Sequence, residues 1–182
     1  MFYYNLIICS LSVIFWVYLI YAAWEMAHKR APFVPSIGNP RKIALKKITT
    51  ILNNKKTPQT IVDAGCGNGK LLATLAKQFP QHNFIGIEYN KILYNYCRQH
   101  YQKQQNLAFL NQDLLKFDYN QANIVYYFGL PSLTLKFEEK LRQLPAKIDL
   151  ITLDAEFSNL NLIDKELFKF WFVKSYIYHY KN

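Results

Sequence analysis

The chain has 182 residues, 51% of them hydrophobic, and 22 Lys and Arg against 12 Asp and Glu give a net charge of +10. That length holds one compact domain with a small appendage, and the composition excludes a disordered tail, a collagen and a disulfide-stapled miniprotein. The three cysteines, Cys9, Cys66 and Cys97, have no metal or redox spacing, and His28, His82, His100 and His179 are scattered, so no metal site is expected.

Charge is unevenly spread. Met1 to Trp24 contain no charged side chain, and Asn5 to Trp24 (NLIICSLSVIFWVYLIYAAW) are mostly Leu, Ile, Val, Phe, Trp and Tyr. About 20 helical residues span a hydrocarbon core of about 30 Å. Aromatic rings at both ends (Phe2, Tyr3, Tyr4; Tyr21, Trp24) suit a lipid interface. No Lys or Arg precedes the run, as a signal peptide would require, so residues 1–24 read as a retained transmembrane anchor. From Met26 to Val62 come eight basic residues (Lys29, Arg30, Arg41, Lys42, Lys46, Lys47, Lys55, Lys56) and no acidic one. Such charge stays on the cytoplasmic side of a span and is attracted to anionic headgroups. The expectation is a single-pass membrane protein with the rest of the chain cytoplasmic. The remaining residues, 63–182, hold 14 basic and 11 acidic side chains without an Arg–aromatic stripe, which argues against a nucleic-acid partner.

Residues 25–58 form a basic linker and a helix ahead of the domain. Ala31 to Pro40 (APFVPSIGNP) is an extended connector, since three prolines and a glycine rule out a helix. Arg41 to Leu52 places Ile43, Ala44, Ile48, Ile51 and Leu52 at helical spacing. The domain proper is 59–182. Strands are predicted at Thr60–Ala64, Asn83–Glu88, Leu107–Leu110, Asn123–Phe128 and Ile148–Leu153, with helices at Lys70–Phe79, Lys91–Gln102 and Pro131–Leu144 between them. The aromatic tail Phe168–Tyr180 reads as one or two final strands. Strands alternating with helices imply an α/β fold, a mostly parallel twisted sheet with helices on both faces.

Three of the six glycines fall in Asp63-Ala64-Gly65-Cys66-Gly67-Asn68-Gly69, between the first strand and the next helix. A doubly wound sheet binds nucleotide-like ligands at such a turn, where glycine admits close approach of the backbone. Glu88 ends the second strand, placed to accept from two ribose hydroxyls. Asp113 follows the third, placed to accept from an adenine amino group. No Gly-Lys-Ser/Thr follows the loop, so it is not a P-loop.

The pattern Asp63-x-Gly65-x-Gly67-x-Gly69 with Glu88 one strand later resembles class I S-adenosylmethionine-dependent methyltransferases, which implies a Rossmann-like fold behind the transmembrane helix and S-adenosyl-L-methionine as cofactor. In that superfamily Asp63, Gly65, Gly67 and Gly69 surround the methionine part, Glu88 the ribose and Asp113 the adenine. More of the chain is similar to the membrane-anchored protein-lysine methyltransferases that in mitochondria modify the adenine nucleotide translocase and the ATP synthase c subunit, and to their archaeal relatives. The shared features are an N-terminal span, Pro32-Phe33-Val34-Pro35-Ser36, Phe128-Gly129-Leu130-Pro131 and Phe137-Glu138-Glu139-Lys140-Leu141. Residues 159–182 have no counterpart in this resemblance, which leaves the last strands of the sheet open. The resemblance implies a protein substrate, membrane-bound or membrane-proximal, with Phe128 at the acceptor channel and Pro32, Phe33, Pro35 and Ser36 lining the site. A lipid or quinone substrate and a non-catalytic scaffold are the alternatives. No general base is evident, and the sequence leaves the oligomeric state open.

Overall fold

The computed structural model describes residues 2–27, 39–129, 131–145, 147–170 and 173–182. The chain divides into two compact units, residues 1–34 and 35–182.

The first unit contains helix α1 (Phe2–Ala27), in which the Ser12 hydroxyl donates to the Cys9 carbonyl at 2.8 Å. The anchor expected at 1–24 is overturned here. Among the described residues no helix is long and apolar enough to cross a membrane. The single-pass localisation, which rested on that span, falls with it.

The second unit runs α2 (Asn39–Asn53), β1 (Thr60–Ala64), α3 (Lys70–Gln78), β2 (Asn83–Glu88), α4 (Lys91–His100), β3 (Leu107–Asn111), β4 (Ile124–Tyr127), α5 (Pro131–Arg142), β5 (Asp149–Leu153), β6 (Asn161–Phe170) and β7 (Val173–Lys181). One seven-stranded sheet has the order β3-β2-β1-β4-β5-β7-β6. The first five are parallel, while β7 is antiparallel to both β5 and β6, so the Rossmann-like α/β fold carries a mixed sheet. The strand order reverses between β1 and β4, which opens a crevice at their carboxyl ends.

Alternation along the strands divides two cores. Ile61, Ile124, Tyr126 and Ile151 face Ala44, Ile48 and Leu52 of α2 and Leu72 and Leu75 of α3. Val62, Val125, Tyr127 and Leu150 face Phe137 and Leu141 of α5 and the buried Tyr119. Burial on both faces explains why β4 is an unbroken run of Ile, Val and Tyr and why β5 is apolar except for Asp149 and Thr152. The last strands start earlier than the aromatic tail suggests, at Asn161. Asn161–Leu167 is half polar and keeps Leu162, Ile163 and Leu167 exposed, as an edge strand can, so it carries no apolar-run signal.

Two ion-pair groups fasten the hairpin. Lys47 of α2 pairs with Asp164 and Glu166 of β6. At the opposite end of the sheet from the crevice, Asp149 accepts from Lys55 Nζ at 3.1 Å and lies 2.8 Å from His179 Nε2. Burial works against the Asp149 charge, but the hydrogen bonds and charges of His179 and Lys55 outweigh it and hold the carboxyl at about 2. A depressed folded-state pKa contributes stability above the unfolded value of about 3.9, and that contribution is lost as pH falls through about 2. Asp149→Asn is therefore expected to cost about 1–2 kcal/mol at pH 7, after allowance for solvent screening, and to cost progressively less below about pH 4. Thermal unfolding of both proteins between pH 7 and pH 2 measures this, and a pH-independent difference would refute it.

Candidate active site

β1 ends on Asp63 and Ala64, and the chain turns at once into α3. Gly65 and Cys66 both donate to the Ile87 carbonyl, at 3.0 and 2.9 Å, and Gly69 donates to the Cys66 carbonyl at 2.9 Å. The turn requires left-handed backbone at Gly65 (φ 102°) and Gly69 (φ 69°). These two glycines differ in their surroundings. A Cβ on Gly69 would come within 2.7 Å of the Phe109 ring, whereas one on Gly65 would meet nothing within 4 Å. Packing demands the first, while the second leaves open space against bare backbone.

Glu88 ties the next strand to this turn. One carboxylate oxygen accepts from the Gly67 N–H at 2.8 Å and the other from the Asn90 N–H at 2.7 Å. Asn90 in turn caps α4, accepting from Ile92 at 2.9 Å and Leu93 at 3.3 Å. The Asn111 amide of β3 donates to the Glu88 and Tyr89 carbonyls, both at 2.9 Å. Beneath the turn, Cys97 donates to the Gly67 carbonyl at 3.2 Å. A hydrogen bond with Cys97, then burial, pushes the Cys66 thiol well up, so Cys66 packs as a neutral thiol. The two cysteines, 31 positions apart in the chain, meet only through the fold.

Asp63 is 3% exposed, and among the described residues no cation or N–H partners its carboxylate. Burial first, and the nearby Glu88 charge second, push it up to about 8. Asp113 is half-buried beyond β3, with one oxygen accepting from the Leu115 N–H at 2.9 Å in a local turn. Phe128 is half-buried just past β4 and packs against the core that α2 and α3 cover. Pro32, Phe33, Pro35 and Ser36 lie outside the described residues.

The fold thus gathers Asp63, the glycine turn and Glu88 in one place, with Asp113 and Phe128 on neighbouring strand ends. Sequence reasoning passed over four contributors. Asn90 was legible as a helix cap, while the amide of Asn111 is given meaning only by strand pairing. Asp154, at φ 54° just past β5, and the Tyr126 hydroxyl had no signal beyond an acidic strand end and an aromatic strand.

The arrangement suits an aminoacyl nucleoside. A buried carboxylate without a cation fits a ligand ammonium, the open face of Gly65 admits a ligand to the backbone, and Glu88 is held rigid for hydroxyl contacts. S-adenosylmethionine has these groups.

A family model described as the ANTKMT methyltransferase domain matches residues 63–163, more than half of the chain. No curated protein matches. Among solved structures, an RNA methyltransferase from Salinibacter ruber in complex with S-adenosyl-L-homocysteine is similar with a TM-score of 0.66 and 19% identity, over 81% of this chain and 93% of that one. The N-methyltransferase NodS from Bradyrhizobium japonicum WM9, also with S-adenosyl-L-homocysteine, is similar with a TM-score of 0.61 and 10% identity, over 80% and 89%. A SAM-dependent methyltransferase from Aquifex aeolicus gives 0.58 and 15%, over 75% and 88%. At these identities the likeness shows the fold.

Two outcomes are expected. A ligand ammonium favours ionised Asp63, so binding of S-adenosylhomocysteine should release a proton below about pH 8 and tighten as pH rises towards that value. Calorimetry in buffers of differing ionisation enthalpy reads that release, and its absence would remove Asp63 from the ligand. Gly69→Ala should lower the melting temperature more than Gly65→Ala, because only at Gly69 does backbone strain add to a collision with Phe109. Equal shifts in thermal unfolding would contradict this.

Proposed function

This chain belongs to the ANTKMT methyltransferase domain family and is a class I methyltransferase with S-adenosylmethionine as cofactor, and we propose that it methylates a lysine ε-amine of a protein. One observation carries the choice of acceptor. The strand ends that form the rim of the crevice carry acidic side chains: Glu88 on β2, Asp113 beyond β3 and Asp154 beyond β5, with Asp63 on β1 neutral at pH 7 until a cation binds it. An edge lined with one sign of charge concentrates ligands of the other sign. It favours a cationic side chain and repels a phosphate backbone. The sequence resemblance to protein-lysine methyltransferases through Phe128-Gly129-Leu130-Pro131 and Phe137–Leu141 points the same way.

S-adenosylmethionine supplies, when bound, a methyl group activated on a sulfonium. The residues of the chain bind and orient. In this reading Asp63 takes the ammonium of the cofactor, Glu88 the ribose hydroxyls and Asp113 the adenine amino group. Catalysis then rests on positioning and exclusion of water rather than on a strong base. Free lysine has a pKa near 10.4, so only about one side chain in 2,500 is neutral at pH 7. The apolar wall that Phe128 offers disfavours the charged form of the entering amine, and its proton can leave to water before attack.

The test is methyl transfer from radiolabelled S-adenosylmethionine, using purified protein and a proteome extract, with peptide mass spectrometry to locate the label. Label on lysine is the expected result. Label confined to lipid, quinone or RNA would replace the acceptor while keeping the enzyme class.

A further inference from the structure

Tyr126 holds a polar atom that neither the core nor the proposed roles employ. Its ring belongs to the core covered by α2 and α3 and is 3% exposed, yet the hydroxyl is buried and, among the described residues, has no hydrogen-bond partner. Phenylalanine would fill the same space without stranding a donor and an acceptor. Strand register sets Tyr126 directly beside Asp63, on the same face of the sheet. Burial first, then the charges of Asp63 and Asp154, keep the phenol protonated. Asp154 is itself held in place, one carboxylate oxygen accepting from the Tyr176 N–H at 2.7 Å. A hydroxyl beside Asp63, which ionises when a cation binds it, disfavours an anionic group of the ligand there and favours an N–H donor.

We propose that the Tyr126 hydroxyl, with Asp63 and Asp154, forms a holding site for a primary amine or ammonium, the phenol oxygen accepting an N–H from it. Two ligands of this enzyme class bring such a group: the cofactor, through its α-ammonium, and a lysine acceptor, through its ε-amine. The second source rests on the lysine reading above, and the first does not.

Tyr126→Phe in the full chain removes only the oxygen. The probes are S-adenosylhomocysteine, which carries the α-ammonium, and methylthioadenosine, which lacks the amino-acid part. If the cofactor is held, the variant loses about tenfold in affinity for S-adenosylhomocysteine and nothing for methylthioadenosine. If the acceptor is held, both affinities stay and KM for a lysine peptide rises about tenfold. Asp154→Asn, which keeps an oxygen for Tyr176, should show a smaller loss in the same arm, and it decides the matter if the Phe variant does not fold. Unchanged affinities together with unchanged KM, or an equal loss for both nucleosides, overturn the proposal. Should no lysine accept a methyl group, the S-adenosylhomocysteine arm alone decides, so the two readings fail separately.

Discussion

The Glu88 carboxylate is the point on which the site depends. It bridges the Gly67 and Asn90 N–H groups and so joins the turn after β1 to the turn after β2. The turn that offers the Gly67 N–H there has left-handed backbone at 65, 67 and 69 alike (φ 102°, 54° and 69°), which is the physical reason for the three glycines. Asn90 cannot be in place unless α4 begins where its side chain caps it. The charge-assisted bonds to Glu88 are stronger than neutral ones, so one side chain holds two loops and a helix start in register.

Around that clamp the electrostatics are left incomplete. Asp63 is buried with Glu88 as its nearest charge, and its carboxyl is driven up to about 8. A buried group of this kind lowers stability unless something binds it. The far end of the sheet shows the contrast. Asp149 is also buried, but Lys55 and His179 satisfy it and hold it at about 2. The same residue type is completed at one edge, where it fastens the sheet, and left without a cation at the other, among the described residues. This division follows the parallel sheet, whose carboxyl edge forms the crevice.

The excess of basic over acidic charge is remote from this edge in sequence, its largest share being the eight basic residues between Lys29 and Lys56, among which no acidic one falls. Lys47 and Lys55 are consumed internally, by Asp164 and Glu166 and by Asp149. A run that reads as an orienting signal beside a membrane therefore supplies, in part, the ion pairs that fasten α2 and the strands after it. Apolar length misled in a similar way: the composition of Asn5–Trp24 suggested a span, and among the described residues no helix meets that requirement.

Most of the α/β alternation was legible in the chain, because strands buried on both faces are short apolar runs and helices between them have a 3.6-residue period. Thr60–Ala64 and Asn83–Glu88 were read to the residue. The glycine turn was legible as well, since few contexts need three glycines in five positions. Tertiary structure alone decided the rest. β7 lies between β5 and β6, so the hairpin Asn161–Lys181 joins the sheet with an exposed, half-polar outer strand that has no periodic signature. Cys66 meets Cys97 only because α4 packs beneath the turn after β1, and Tyr126 comes beside Asp63 only because parallel strands far apart in sequence are brought into register. Local pattern specifies which face of an element is buried. Which side chains from different elements then share a low-dielectric space is set by strand order, and that sharing drives Asp63 up and leaves the Tyr126 hydroxyl without a partner.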